Sequence, residues 1–154
     1  MPLNKEFIKS NNSSDTYIET GYDKGNGVQN ALDCDFKSII SIEKYNINDR
    51  FEGNPKVTIY HGDSAKLLPK VISNKPCFIF LDAHGEQETP IIFELTFLLT
   101  RIGDKIIVDD RRYFETGKAF GQDTKPFYDL LKQFKSVKKY RTTRKLNDVF
   151  ILEN

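Results

Sequence analysis

The stretch YIETGYDKGNG, residues 17–27, decides how the rest of the chain is interpreted. A β-prone run ends in the acid Glu19, and glycines follow at Gly21, Gly25 and Gly27. Glycines after a strand let the backbone approach a ligand closely, because they carry no side chain. We therefore expect a ligand-binding turn at the end of a first strand.

The glycine spacing argues against two familiar phosphate-binding turns. The GxxxxGK[ST] loop of nucleoside-triphosphate sites is missing from the sequence. A dinucleotide site needs GxGxxG directly after the strand, but Asn30 stands at the third glycine position, after Gly25 and Gly27. Glu19 would also repel a pyrophosphate. The pattern ExGxxxGxG suits a ligand that carries a positive group and a hydroxyl-bearing sugar.

Length and charge narrow the class of protein. The 154 residues suit one domain, and 23 Lys and Arg nearly cancel 22 Asp and Glu, so net charge gives no reason to expect nucleic-acid or anionic-membrane binding. No apolar run approaches the roughly 20 residues of a membrane span. Residues 1–15 are polar and predict a tail or short helix before a domain at 16–154. We expect a soluble, cytoplasmic protein in which Cys34 and Cys77 are reduced core residues.

Strands and helices alternate along the chain. The strands are predicted at 16–20, 37–43, 56–61, 77–82, 105–110, 136–140 and 148–153, and the helices at 27–36, 64–73, 90–102 and 124–134. Pro69 is expected to break the second helix into two short pieces. The strands are uniformly apolar, which is typical of a mainly parallel sheet with both faces covered. The sequence therefore predicts an α/β fold.

An acidic residue ends or closely follows each of the first five predicted strands: Glu19, Glu43, Asp63, Asp82 and Asp109. Ligands of parallel sheets bind outside the carboxyl ends of the strands, near the point where the strand order reverses. Carboxylates that cluster there repel one another unless a cation, a hydroxyl-rich ligand or a metal compensates them. The strand ends are therefore the candidate site.

These motifs together resemble the class I S-adenosylmethionine-dependent methyltransferases. The matching pieces are Glu19-Thr20-Gly21 with the two later glycines, SIE ending at Glu43, GDS at 62–64 and FLDAH at 80–84, over roughly residues 16–152. The resemblance implies a three-layer, doubly wound, Rossmann-like fold with a seven-stranded sheet whose last strand is antiparallel. It also implies S-adenosylmethionine as the cofactor and methyl transfer as the activity.

The resemblance implies a role for each matching residue. The loop Gly21–Gly27 would pass under the methionine part of the cofactor, and Glu19 would serve its ammonium group, often through water. Glu43 would accept hydrogen bonds from both ribose hydroxyls. Asp63 would meet the adenine amino group, and Ser64 would cap the helix beside it. Helix capping alone is an open alternative for Asp63.

Asp82, Asp109 and Asp110 raise the question of a metal. They end the fourth and fifth strands, and three carboxylates there would form an all-oxygen site suited to Mg²⁺ or Ca²⁺. This is similar to the metal-dependent O-methyltransferases that act on catechols, in which an Asp ends the fourth strand and an Asp-Asn pair ends the fifth. The chain departs from that pattern at Asp110, which replaces the Asn. Arg111 and Arg112 could instead neutralise the two acids as ion pairs.

His84 is the candidate general base, because its ordinary pKa of about 6.5 lets it take a proton at neutral pH. It follows Asp82, which the resemblance places below the sulfonium and the incoming acceptor. The alternative is a histidine that only shapes its loop. Methyl transfer depends mainly on alignment of the reacting atoms, so a dedicated base is not essential. His61 is expected to be a solvated strand-end residue.

The sequence does not identify the methyl acceptor, and we expect an oxygen nucleophile of a small molecule. A homodimer in which the second subunit completes the site is an open alternative. Residues 132–145 hold seven Lys or Arg and no acid. They are typical of a solvated hairpin, or of a phosphate-contacting patch in which Phe134 and Tyr140 stack bases. The alternatives are therefore a non-catalytic or partner-dependent cofactor-binding module, and a nucleic-acid methyltransferase.

Overall fold

The computed structural model describes residues 2–45, 47–48, 50–85, 87–141 and 148–154. Its helices are α1 (Lys5–Asn11), α2 (Asn26–Leu32), α3 (Ser64–Val71), α4 (Ile91–Leu98), α5 (Arg111–Phe114) and α6 (Lys125–Leu131). Its strands are β1 (Thr16–Thr20), β2 (Ser38–Glu43), β3 (Val57–His61), β4 (Phe78–Leu81), β5 (Lys105–Val108), β6 (Lys118–Ala119), β7 (Gln122–Asp123), β8 (Ser136–Arg141) and β9 (Asp148–Glu153).

Seven strands form one sheet in the order β3-β2-β1-β4-β5-β9-β8. Strands β1 to β5 run parallel, whereas β9 is antiparallel to both of its neighbours, β5 and β8. The predicted doubly wound, mostly parallel sheet with an antiparallel last strand is confirmed. The strand order reverses between β1 and β4, so the carboxyl ends of these two strands flank the switch point at which such sheets bind ligands.

Helices cover both faces of the sheet, as its apolar strands require. The cluster on one face includes Leu68, Leu95 and Leu131, which come from α3, α4 and α6. The cluster on the other face includes Phe7 of α1 and Val28 of α2. This arrangement confirms the predicted three layers and leaves the ends of the strands as the accessible edge of the sheet.

The prediction that Pro69 would break its helix is wrong. Helix α3 continues from Ser64 to Val71 with Pro69 inside it. Proline removes one N–H donor and crowds the preceding turn, but little helix follows it here, because Ile72 is already extended. Leu68, next to the proline, is fully buried. Tertiary packing therefore outweighs the local preference.

The N-terminal segment packs into the core. The N–H of Phe7 donates to the side chain of Asn4 at 2.7 Å, which caps the start of α1. Leu3 and Phe7 are buried among residues of α2 and the sheet. The short helix that the sequence allowed for residues 1–15 thus forms and closes one face of the fold.

Both cysteines are buried free thiols, as predicted: Cys34 follows α2 and Cys77 precedes β4. Burial raises the pKa of each thiol, which favours the unreactive protonated form. Within the part of the chain that the structure describes, no helix combines the length and apolar composition that crossing a bilayer requires.

Candidate functional site

A cleft of about 840 Å³ opens at the carboxyl ends of the parallel strands. The loops after β1, β2, β3 and β4 border it, so it spans the switch point of the sheet. Clefts of this size bury most of the surface of a small-molecule ligand. Its walls include six of the predicted site residues: Gly21, Glu43, Asp63, Ser64, Asp82 and His84.

Backbone donors hold Glu43 in place at the end of β2. Its Oε2 accepts from the N–H of Tyr22 at 2.9 Å and of Asp23 at 3.2 Å. Its Oε1 accepts from the N–H of Tyr45 at 2.8 Å. Each carboxylate oxygen has two acceptor positions, so Oε2 is filled by its two backbone donors and one position on Oε1 is left for a donor of a ligand. Glu43 is therefore an oriented acceptor on the cleft wall.

Asp63, and not Ser64 as predicted, caps helix α3. Asp63 has an extended backbone, and its Oδ1 accepts from the N–H of Ala65 at 3.0 Å, which makes Ser64 the first helical residue. The other oxygen, Oδ2, lies 3.8 Å from the Nζ of Lys66. The capping bond occupies one carboxylate oxygen only, so a ligand donor can still reach the second. Ser64 is buried beside it on the cleft wall.

Gly21 is required where the turn after β1 meets the loop after β4. Its φ is +89°, and a Cβ there would lie 2.7 Å from the carbonyl oxygen of Asp82. The N–H of Gly21 also donates to the carbonyl of Ile42 at 2.9 Å. Three strand-end loops thus meet at the floor of the cleft, and only glycine fits at their junction.

Gly25 and Gly27 lie behind this wall and do not line the cleft. Gly25 has a φ of +76° and precedes α2 in a left-handed conformation. Gly27, the second residue of α2, lies against the carboxylate of Glu19, where a side chain would overlap it. Packing explains both glycines, and the sequence pattern could not separate that requirement from ligand contact.

Glu19 is buried beneath the glycine turn. Its Oε2 lies 3.0 Å from the hydroxyl of Tyr17, and its Oε1 lies 2.9 Å from the hydroxyl of Ser41. Burial raises the pKa of Glu19 to about 8, and the hydrogen bonds from Ser41 and Tyr17 oppose this rise only in part. Glu19 is therefore largely protonated at neutral pH unless a cation approaches it.

Asp82, His84 and Asp110 converge where the loops after β4 and β5 meet. The Nε2 of His84 lies 3.7 Å from the Oδ1 of Asp82 and 3.3 Å from the Oδ2 of Asp110. One potential ligand atom from each of the three residues lies within 4.8 Å of the others. Asp109, predicted to join the two aspartates, is buried and does not belong to this group, which is the one such cluster among the described residues.

Burial and charge shift the pKa values of this cluster in different directions. Burial, reinforced by the neighbouring Asp109, raises the pKa of Asp82 to about 7. The hydrogen bond to Asp110 raises the pKa of His84 and outweighs the opposing effect of burial. Burial acts to raise the pKa of Asp110, but His84 and Arg112 outweigh it and lower that pKa. His84 is therefore protonated more readily than an ordinary histidine.

Phe120, which no sequence motif indicates, holds the imidazole of His84. The two rings stack with their centroids 4.1 Å apart and their planes at 19°. Phe120 lies in the turn between β6 and β7 with a φ of +52°, and Asp110 has a φ of +56°. Such left-handed backbone in residues other than glycine costs energy and persists only where the surroundings fix it. No local sequence signal marks either position.

Glu94 of α4 is the second residue that no sequence motif indicates. It is only 1% exposed, and neither carboxylate oxygen has a hydrogen-bond partner among the described residues. Burial raises its pKa to about 7, while the nearby hydroxyls of Ser64 and Thr20 act against this rise. In the sequence, a single acid in IIFELTFL looks like an ordinary helix residue. Glu94 lines a small cavity of about 10 Å³ together with Asp82, His84, Asp109 and Asp110.

The two arginines that follow Asp110 have different partners. The Nη2 of Arg112 lies 3.4 Å from the Oδ1 of Asp110, as predicted for an ion pair. Arg111 instead lies 2.6 Å from the Oδ1 of Asp148 and 2.8 Å from the Oε1 of Glu115. Arg111 thus ties α5 to β9, and Arg112 is the arginine that reaches the cluster.

The predicted basic patch lies only partly in the described chain: residues 132–141 are described, and 142–145 lie outside. Phe134 is buried in the core, so its ring is not available to stack on a base, which was the open alternative for this segment. The ring of Tyr140 packs against that of Phe7, with centroids 4.8 Å apart. Phe134 therefore serves the packing of the fold, whereas Tyr140 contacts Phe7 and is still 40% exposed.

Solved structures of methyltransferases share this fold. No family model matches the sequence, and no curated protein matches it in sequence. The fold nevertheless matches class I S-adenosylmethionine-dependent methyltransferases over almost the whole chain. At 20% identity or less, this likeness establishes the fold, and the activity has to be argued from the site.

Three of these structures illustrate the match. Podospora anserina methyltransferase PaMTH1, bound to S-adenosylhomocysteine (SAH), has a TM-score of 0.70 and 10% identity, covering 97% of this chain and 75% of that chain. The Bacillus cereus O-methyltransferase in complex with SAH has a TM-score of 0.67 and 20% identity, covering 96% and 76%. The MycE methyltransferase of the mycinamycin biosynthetic pathway, in complex with Mg and SAH, has a TM-score of 0.67 and 13% identity, covering 97% and 47%.

Proposed function

We propose that the protein binds S-adenosylmethionine and transfers its methyl group to an oxygen of a small molecule. The observation that carries this proposal is Glu43, which backbone N–H groups orient on the wall of the cleft. A carboxylate in that position suits a ribose, because one hydroxyl would donate to the open position on Oε1 and a second would replace the longest backbone donor, the N–H of Asp23 at 3.2 Å. The shared methyltransferase fold supports the same cofactor.

The rest of the cleft accommodates the cofactor around this anchor. Gly21 brings bare backbone to the floor, where the methionine part would lie. Asp63 and Ser64 stand on the wall after β3, where an adenine amino group would find the second oxygen of Asp63. Glu19 lies below the turn and would reach the ammonium group through water, since it does not line the cleft itself.

Asp82 and His84 would act at the end of the cleft where the methyl group is transferred. Asp82 is largely buried, and a Cβ at position 21 would lie 2.7 Å from its carbonyl oxygen, so its side chain starts close to the turn that would hold the methionine part. His84 would accept the acceptor's proton in its neutral form. Because its pKa is raised, that form becomes abundant only at a higher pH than for an ordinary histidine. Alignment of the reacting atoms is the larger part of the catalysis.

A divalent cation beside the acceptor would help to hold and polarise the acceptor oxygen. The sequence favoured Mg²⁺ or Ca²⁺ on Asp82, Asp109 and Asp110. In the described residues the converging set is instead Asp82, His84 and Asp110, so the donors include a nitrogen. The residues present fit a cation at this position, but its ligands would be two carboxylates and an imidazole instead of the three predicted carboxylates.

The alternative function is a cofactor-binding module that needs a partner, such as a second copy of the chain, to complete the acceptor pocket. Phe93 favours it, because this large apolar side chain lies on the cleft wall and is 70% exposed. Turnover by the isolated chain distinguishes the two functions.

Incubation with methyl-labelled S-adenosylmethionine tests the proposal. The acceptors are small phenols, catechols and sugars, with an RNA transcript as the nucleic-acid arm. We expect label on a small-molecule oxygen, and loss of that transfer in Asp82→Asn with the fold retained. Transfer to RNA alone would contradict the proposed acceptor class. Cofactor binding without transfer to any acceptor would favour the partner-dependent module.

A further inference from the structure

We propose that Asp82, His84 and Asp110 form a divalent-cation site with an imidazole nitrogen among its ligands, which prefers later transition-metal ions such as Co²⁺ to Mg²⁺ and Ca²⁺. Only the location of this ion beside the cofactor rests on the proposed function. The binding itself depends on these three side chains and can be measured without cofactor.

The distances between the donor atoms suit one ion. Metal–ligand bonds of about 2.1 Å place neighbouring ligand atoms about 3.0–3.4 Å apart in octahedral or tetrahedral geometry. The Nε2 of His84 lies 3.3 Å from the Oδ2 of Asp110 and 3.7 Å from the Oδ1 of Asp82. Small side-chain rotations therefore bring all three donors into a common coordination sphere.

The imidazole is held in the orientation that the site needs. Phe120 stacks on one face of the His84 ring, so its Nε2 stays directed at the two aspartates. Asp110 is positioned by its left-handed backbone at the start of α5. Replacement of residues that orient metal ligands in this way commonly lowers the affinity for the metal.

A second observation points to a ligand here. The small cavity of about 10 Å³ behind the cluster is large enough for a single water or ion. Glu94 lines it, is 1% exposed, and has no hydrogen-bond partner on either oxygen among the described residues. A buried carboxylate with spare acceptor capacity suits a water molecule that completes the coordination of an ion at the cluster.

The mixture of donors decides which ions are favoured. Carboxylate and water ligands suit Mg²⁺, Ca²⁺ and Mn²⁺, whereas imidazole suits the later transition metals, among which Co²⁺ binds more tightly than Mn²⁺. All nitrogen-containing sites bind Co²⁺ more tightly than Mg²⁺ to some degree, so the informative quantity is how far that preference depends on His84. The chain offers a matched control, since His61 is its one other histidine and is exposed outside the cluster.

Calorimetric titration of the full chain, first freed of metal with EDTA, tests the proposal with Co²⁺, Mn²⁺ and Mg²⁺ in the absence of cofactor. We expect His84→Gln to weaken Co²⁺ binding by about tenfold or more and Mg²⁺ binding by less. His61→Gln should leave both unchanged. Pulsed electron paramagnetic resonance of Mn²⁺ on the unaltered chain should show the coupling of an imidazole ¹⁴N, a readout that needs no variant.

Three results would overturn the proposal. One is failure of the unaltered chain to bind Co²⁺, which would make the cluster a plain His–Asp ion pair. Another is normal Co²⁺ binding by His84→Gln with loss in Asp109→Asn, which would assign the ion to the three carboxylates. The third is a Mn²⁺ signal without ¹⁴N coupling. SAH binding by the same metal-free samples reports separately on the proposed function.

Discussion

The carboxylate of Glu19 lies directly against the Cα of Gly27, so close that a methyl group at position 27 would overlap Oε2. Glu19 is the last residue but one of β1, and Gly27 is the second residue of α2, the helix that follows the glycine turn. As long as Glu19 occupies this position, residue 27 therefore has to be glycine. Their contact explains part of the glycine pattern without a ligand, and it can be tested apart from any activity.

Gly27→Ala should destabilise the protein by about 1–3 kcal/mol, because the added methyl displaces the buried Glu19 carboxylate. In a Glu19→Ala background the overlap disappears. There Gly27→Ala should be neutral or stabilising by up to about 1 kcal/mol, since alanine favours helix over glycine. Chemical unfolding of the four proteins in this cycle measures the coupling. Additive effects would show that the contact does not govern position 27.

Glu94→Gln should make the stability of the protein less dependent on pH. The pKa of Glu94 is raised by burial to about 7 in the folded protein, from about 4.3 in an unfolded chain. The folded state then holds more protons between these values, so the stability from protonated Glu94 is present at pH 4 and is lost as pH rises through 7.

Relative to the unaltered chain, Glu94→Gln should therefore gain about 2 kcal/mol between pH 5 and pH 8. Unfolding free energies at the two pH values measure this difference. Glu52→Gln is the matched control, because Glu52 is exposed outside the cleft and its replacement should leave the pH dependence unchanged. If the unfolding free energy of Glu94→Gln varied with pH as much as that of the unaltered chain, the raised pKa of Glu94 would be contradicted.

SAH should release protons when it binds at pH 7 if its ammonium group acts on Glu19. Burial raises the pKa of Glu19 to about 8, so the carboxyl is mostly protonated before binding. A nearby positive charge favours the carboxylate and lowers that pKa. Calorimetry in two buffers with different ionisation enthalpies, with EDTA present, should find release of a large fraction of a proton. The release should fade above pH 8.

Methylthioadenosine, which lacks the ammonium group, is the matched ligand for that experiment and should release far fewer protons. Glu19→Gln should abolish the difference between the two ligands. Equal release by both ligands, or a difference that persists in Glu19→Gln, would remove the proposed role of Glu19 toward the ammonium group.

The sheet could be predicted because its signals are local. Apolar runs such as that of β4, which is buried throughout, indicate a parallel sheet with both faces covered, although the edge strands β3 and β8 are largely exposed. The acids at strand ends, such as Glu43, indicate the edge of the sheet at which the cleft opens. The error at Pro69 has the opposite cause, since the packing of Leu68 into the core decides that helix and the local preference does not. Short-range rules do not describe such contacts.

The cluster around His84 could be anticipated only in part. Asp82 and Asp110 follow from their strands, but the participation of His84 depends on the stack with Phe120 and on left-handed backbone at two positions. These contacts join residues that are distant in the sequence and carry no motif. Glu94 could not be predicted either, because its burial is set by the packing of α4 and not by its neighbours in the chain.

Calorimetric titration with SAH decides whether the cleft binds the proposed cofactor and whether Glu43 holds it. We predict that the unaltered chain binds SAH and not NAD, and that Glu43→Gln weakens SAH binding by about tenfold or more through lost charge-assisted hydrogen bonds to the ribose. Glu6→Gln, an exposed acid of α1 outside the cleft, should bind normally. Failure of the unaltered chain to bind SAH, or unchanged affinity in a folded Glu43→Gln, would contradict the account.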